Sequence, residues 1–148
     1  EDVSAATLAT VTNVETGNLI GSAGVDNLTI TGAQLDSILA GAGTINFDTG
    51  TDTLNITSTS ADLNTLGATN ASIQGLEAIS AATAGAGVTI TLSGQTEAFT
   101  VTGSGFADTI TAGTGADTIT GGAGNDTINL ANGAFAAGES LTGGADTD

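Results

Sequence analysis

Apolar residues in the last third of the chain recur every nine positions. Written from Gly85, successive frames read GAGVTITLS, GQTEAFTVT, GSGFADTIT, AGTGADTIT and GGAGNDTIN, with Leu92, Val101, Ile110, Ile119 and Ile128 in the eighth place. In the later frames a threonine precedes that residue and a threonine or asparagine follows it, as in Thr109-Ile110-Thr111. Alternation over three residues turns one side chain inward and two outward, which predicts a very short strand. The glycines at the head of the later frames predict a tight turn, because glycine adopts positive φ without strain. The sixth place changes from Ile90 and Phe99 to Asp108, Asp117 and Asp126, so a carboxylate then stands between turn and strand. A fixed short period that combines turn and strand predicts stacked coils, a solenoid.

The earlier part of the chain carries the same signs less regularly. Gly21 to Thr29 (GSAGVDNLT) keeps Gly21, Gly24, Asp26 and Leu28, and Phe47 to Asn55 (FDTGTDTLN) keeps Gly50, Asp52 and Leu54. Asp26 and Asp52 are 26 residues apart, so these coils should be longer. Thr31 to Ala40 (TGAQLDSILA) predicts a short helical turn capped by Thr31, with Leu35, Ile38 and Leu39 on one face. Val11 to Glu15 (VTNVE) and Ile73 to Glu77 (IQGLE) match in type, and each precedes a GSxGxD-like or GSGFAD turn. This suggests two unequal copies of a larger unit. After Asn129, LANGAFAAGESLT breaks the beat, and Gly143 to Asp148 (GGADTD) restores the turn. We therefore expect residues 1–84 to form irregular, degenerate coils and residues 85–148 regular ones, continuous in one parallel, all-β solenoid.

Composition narrows the chemistry. The chain has 148 residues, 16 Asp and Glu, no Lys, Arg or His, and a formal charge of -16. No internal ion pair can relieve that repulsion, and nucleic acid or an anionic membrane is excluded as a natural partner. The counter-charge has to come from solution. Absence of Cys removes any disulfide framework, and no apolar run reaches the ~18 residues of a membrane span. Only Phe47, Phe99, Phe106 and Phe135 are aromatic, which favours a thin core of stacked aliphatics. The chain starts at Glu1 and contains no Met, as a processed product or a piece of something longer would.

Adjacent coils of a parallel solenoid lie ~4.7–4.9 Å apart. If two frames close one coil, Asp108 and Asp126, eighteen residues apart, stand one above the other. Two such carboxylates repel by about 3 kcal/mol at an effective dielectric of about 20. A calcium ion, which takes oxygens at ~2.3–2.6 Å, fits between them with carbonyls of the glycine turns completing its shell. The candidate ligand groups are Asp108 and Asp126 first, with glycines Gly103, Gly105, Gly121, Gly122 and Gly124. Asp117 has at best a half site, because its partners in this spacing are Phe99 and Phe135. Asp146 and Asp148 are candidate partners of Asp126 across the longer loop, and Asp26 and Asp52 are candidates in the degenerate half.

These residues resemble the RTX (repeats-in-toxin) family of secreted bacterial calcium-binding proteins, strongly over Gly103 to Asn129 and partly at Gly21–Thr29, Phe47–Asn55 and Gly143–Asp148. The resemblance implies a right-handed parallel β-roll, Ca2+ bound by the turns of coils eighteen residues apart, bacterial export in one step and folding outside the cell. The Thr, Ala and Gly richness without Lys or Arg looks most like the surface-layer and adhesin members. The reading is thus an extracellular structural protein that stacks head to tail, as a homo-oligomer or polymer, into a surface layer, filament or adhesin stalk. The alternative is the non-catalytic C-terminal segment of a secreted enzyme or toxin. Catalysis by this chain is not expected, since no His, Cys, Lys or Arg is present to activate a nucleophile or bind an oxyanion. A third reading, ice binding by Thr-x-Thr ladders at Thr89–Thr91, Thr109–Thr111 and Thr118–Thr120, is weaker, because Thr is in any case a favoured outward strand residue.

Overall fold

The computed structural model describes residues 18–63, 72–131 and 135–148. Within them the chain is a parallel β-roll. Strands β1 (Leu19–Ile20), β3 (Ile45–Asn46) and β5 (Ile73–Gln74) form one three-stranded sheet. Strands β7 (Thr89–Thr91), β9 (Thr109–Thr111) and β11 (Thr127–Asn129) form a second. A six-stranded sheet contains β2 (Asn27–Ile30), β4 (Thr53–Ile56), β6 (Ala78–Ser80), β8 (Thr100–Thr102), β10 (Thr118–Ala123) and β12 (Ser140–Ala145) in that spatial order. Every pairing in the three sheets is parallel.

Inward residues of neighbouring coils stack on one another. Along the long sheet the column is Leu28, Leu54, Ile79, Val101, Ile119 and Leu141; on the facing sheet of the later coils it is Ile90, Ile110 and Ile128. The Thr residues flanking Ile110 and Ile119 point outward, as the alternation requires. Coil length is set by what lies between strands. Thr100 pairs with Thr118 and Thr109 with Thr127, eighteen residues apart, whereas Asn27 pairs with Thr53, because the earlier coil carries helix α1 (Gly32–Ala40).

The beat begins later than the frame at Gly85 implies. Thr89 pairs with Thr109, so Ile90 rather than Leu92 belongs to the aliphatic column. Leu92 is still buried, and its N–H donates to the Thr111 carbonyl at 2.8 Å. The two-residue slip is invisible in a stretch where Val88, Ile90 and Leu92 alternate, because any of the three can face the core. Nor does β7 continue β5: the Thr89 N–H donates to the Thr59 hydroxyl at 2.9 Å, in the loop after β4. The second face of the roll changes place midway while the six-stranded sheet runs through. Ser4 to Glu15, with the VTNVE unit, lies outside the described residues.

Helix α1 follows its sequence signals. The Thr31 hydroxyl accepts from Gln34 N–H at 3.1 Å, and Gln34 Oε1 accepts from Thr31 N–H at 2.8 Å, a reciprocal capping box. Leu35 and Ile38 are buried and Leu39 half-buried. Asp36 ties the helix to the next coil, accepting from the Ser60 hydroxyl and from the N–H groups of Asp62 (3.1 Å) and Ala61 (3.3 Å). Burial pushes its carboxyl up, but the bonds from Ser60, Asp62 and Ala61 outweigh this and hold it below the ordinary 3.8. A depressed value in the fold means stability that is present above pH 3.8 and is lost as pH falls through the lower folded value. Asp36→Asn should therefore cost about 1–2 kcal/mol at neutral pH. In urea unfolding, its gap to the parent chain should shrink as pH falls below 3.8; a gap unchanged with pH would show that charge at Asp36 plays no part.

Candidate metal centre

The residue just before each strand of the long sheet lies on one edge of the roll: Asp26, Asp52, Glu77, Phe99, Asp117 and Glu139. A second edge, before the strands of the later sheet, carries Val88, Asp108, Asp126 and, one coil on, Asp148. Most of these carboxylates knit coil to coil by accepting a backbone N–H from the coil below. Asp26 N–H donates to Asp52 Oδ1 (2.7 Å), Asp52 N–H to Glu77 Oε2 (2.9 Å) and Phe99 N–H to Asp117 Oδ1 (2.9 Å). On the second edge Val88 N–H donates to Asp108 Oδ1 (2.7 Å), Asp108 N–H to Asp126 Oδ1 (2.9 Å) and Asp126 N–H to Asp148 Oδ1 (3.0 Å). Asp26, Asp52, Asp108, Asp117 and Asp126 are all buried.

Asp108 and Asp126 thus stack at a distance of eighteen residues. Asp117 sits over Phe99 as the spacing predicts, but above it stands Glu139 and not Phe135, because Thr118 pairs with Ser140, twenty-two residues on. The break after Asn129 adds four residues to that coil and moves Phe135 off the ladder into an exposed position. Both proposed partners beyond that break reach back: Asp148 to Asp126 N–H, and Asp146 Oδ2 to Gly124 N–H at 3.1 Å. Glu77 joins the ladder, and Glu139 holds the equivalent edge position while accepting from Ala136 N–H of its own turn, although a motif that specifies Asp passes over both. The available signal was an acid directly before an Ala-Ile-Ser or Ser-Leu-Thr strand.

The second carboxylate oxygen separates the turns into two kinds. In three of them it is held by its own turn: Asp26 Oδ2 accepts from Ser22 N–H (2.7 Å), Asp108 Oδ2 from Ser104 N–H (2.5 Å) and Asp117 Oδ2 from Gly113 N–H (2.9 Å). Among the described residues, however, the buried oxygens Asp52 Oδ2, Asp126 Oδ2 and Glu139 Oε1 have no hydrogen-bond partner. A buried acceptor without a donor is costly, and a bound cation is one of the few things that satisfies it.

Around Asp126 the backbone is shaped accordingly. Gly122 and Gly124 have φ of +119° and +103°, and one coil above Gly144 and Asp146 repeat this with +126° and +85°. At such φ a side chain is strained, which favours glycine at three of the four positions. A Cβ on Gly121 would collide with both Asp126 Oδ2 and the Gly143 carbonyl, and one on Gly103 with Asp108 Oδ2 and the Gly121 carbonyl. A Cβ on Gly122 would meet the Ser104 carbonyl. Gly105 differs, because a Cβ there would meet nothing within 4 Å. The donor set is all oxygen and anionic, which fits calcium and neither the soft nor the imidazole-seeking metals. Among the described residues no three acidic side chains converge on one point, so carbonyls would supply the remaining ligands.

Asp52 shares the orphaned oxygen. Burial pushes its carboxyl above the ordinary 3.8, against the Asp26 N–H that lowers it, and the charges of Glu77, Asp26 and Asp48 raise it further. Among the described residues no helix is long and apolar enough to cross a membrane. The family model for the RTX calcium-binding nonapeptide repeat (4 copies) matches residues 102–134. No curated protein and no solved structure matches the chain.

Proposed function

We propose that this chain, whose residues 102–134 match the RTX calcium-binding nonapeptide repeat, is an extracellular structural module that uses calcium to fasten each coil of the roll to the next. The orphaned Oδ2 of Asp126, buried among turn carbonyls, carries the reading. Asp126 and Asp148 would hold the ion with the carbonyls of Gly121, Gly122 and Gly143. Asp108 closes the coil below, and Asp146, Gly103 and Gly124 shape the turns. Asp117 ties its own turn, through Gly113 N–H, to the coil below, through Phe99 N–H. Calcium supplies the positive charge that the chain lacks. Asp126 Oδ1 meanwhile keeps its bond to Asp108 N–H, so one carboxylate serves metal and fold together.

The same arrangement supports assembly. Each coil adds one parallel strand per sheet, and each turn presents acidic and carbonyl oxygens to the next coil, whether that coil belongs to the same chain or to another copy. A head-to-tail homopolymer, as in a surface layer, filament or adhesin stalk of a bacterial cell, would use this end-to-end repetition. Millimolar calcium outside the cell matches weak, carbonyl-rich sites. Sedimentation velocity and electron microscopy with and without calcium test the assembly: calcium-dependent growth into stacked particles is expected, and a chain that stays monomeric at millimolar calcium would sink it.

A further inference from the structure

The step at which the second face of the roll changes place opens a cavity. Strand β5 ends the sheet of β1, β3 and β5, and β7 begins the next one elsewhere, while β6 and β8 remain neighbours in the long sheet. The inward column of Leu19, Ile45 and Ile73 is therefore continued above Ile73 by no strand among the described residues. At this place the structure has a cavity of about 150 Å³.

Its apolar wall comes from both sides of the step: Leu63, Ile73 and Ile79 from the earlier coils, Leu92 and Phe99 from the later ones. All five are buried. Protein interiors are close-packed and hold few voids larger than a water molecule, and an apolar cavity of about this size lined by Leu, Ile and Phe takes a benzene ring. The polar part of the lining lies mainly at the surface. Gln95 is buried, but Gln74 and Glu97 are exposed. Glu97 stands in the turn that leads into β8, where its Oε2 accepts the Thr96 N–H at 3.2 Å. The chain has no Lys, Arg or His to neutralise this carboxylate and a formal charge of -16, so the field at the mouth of the cavity attracts cations and repels anions.

An apolar pocket with a few placed polar groups is the usual form of a small-molecule site, the wall giving affinity and the polar groups orientation. We infer that this cavity binds a compact hydrocarbon group with a cationic head, of the size of benzylammonium. The hydrocarbon packs against Ile79, Leu92 and Phe99, and the head faces Glu97.

The test uses the full chain in saturating calcium, followed by NMR of its methyl and aromatic groups. Benzylamine, toluene and benzoate serve as probes, because they share one ring and differ in charge. Benzylamine should give saturable shifts at Ile73, Ile79, Leu92 and Phe99 and bind more tightly than toluene, and benzoate should give none. Glu97→Gln should weaken benzylamine about two- to fivefold, the range of an exposed ion pair, and leave toluene unchanged. Leu76→Phe enlarges a half-buried residue of the lining and should abolish the shifts from both. Benzylamine shifts confined to the acidic turns overturn the inference. So does equal affinity for benzylamine and toluene, or a benzylamine affinity unmoved by Glu97→Gln. Exchange of an exposed residue such as Glu97 leaves the fold intact, so the question is decided even where Leu76→Phe does not fold.

Discussion

Chelating calcium is expected to abolish most of the β-sheet circular dichroism of the later coils, and adding it back should restore the signal in a cooperative transition. Each of these coils buries few large side chains. One buried aliphatic contributes about 1.5–3 kcal/mol, while ordering each backbone costs about 1–2 kcal/mol. The buried acids add repulsion on top. Calcium at a hundred times its Kd adds about 2.7 kcal/mol for each site that exists only in the fold, enough to decide a marginal balance. Asp126→Asn sharpens the test: its amide oxygen still accepts the Asp108 N–H, so the ladder survives while the charge is gone. The calcium midpoint should rise at least about tenfold, as even the loss of an outer partner can produce. A full β signal in chelator, or an unmoved midpoint in Asp126→Asn, would remove calcium from the folding of these coils.

The second large effect compares two glycines of one turn. Gly103→Ala should destabilise the calcium-loaded roll by about 1–3 kcal/mol or more, because its Cβ would be driven into the Gly121 carbonyl and Asp108 Oδ2. Both are fixed by the next coil and by the ladder, so neither can move aside cheaply. Gly105→Ala meets open space and should be neutral or stabilising by about 0.4–1 kcal/mol, through the unfolded chain. Urea unfolding in saturating calcium measures both. Equal losses at the two positions would mean that glycine acts here through flexibility, and that coil-to-coil contact is irrelevant.

The same contrast shows how far a motif can be read. In the sequence Gly103 and Gly105 stand together as candidate ligands, but only Gly103 lies under the carbonyl of the coil above. The nonapeptide pattern picks out the aspartates as edge residues and passes over Glu77 and Glu139, which stand directly before their strands on the same edge. Asp117 is well placed with respect to Phe99. Its other neighbour could not be counted out from spacing, because the length of the loop after Asn129 sets that register.

Period, alternation and capping are local properties, and the sequence alone determined them: strands centred on Ile110, Ile119 and Ile128, the Thr31 cap, parallel coils, and an acidic edge. Each depends on φ preference, side-chain direction or charge within a few residues. Register is different, because it is chosen by whichever pairing buries the most apolar surface across a loop of variable length. The tertiary structure therefore decided that Ile90 and not Leu92 enters the column, that the second face changes place between β5 and β7, and that Asp26, Asp52 and Glu77 share an edge. It also decided which carboxylate oxygens have donors, since that follows from whether a residue of the same turn aims an N–H at them.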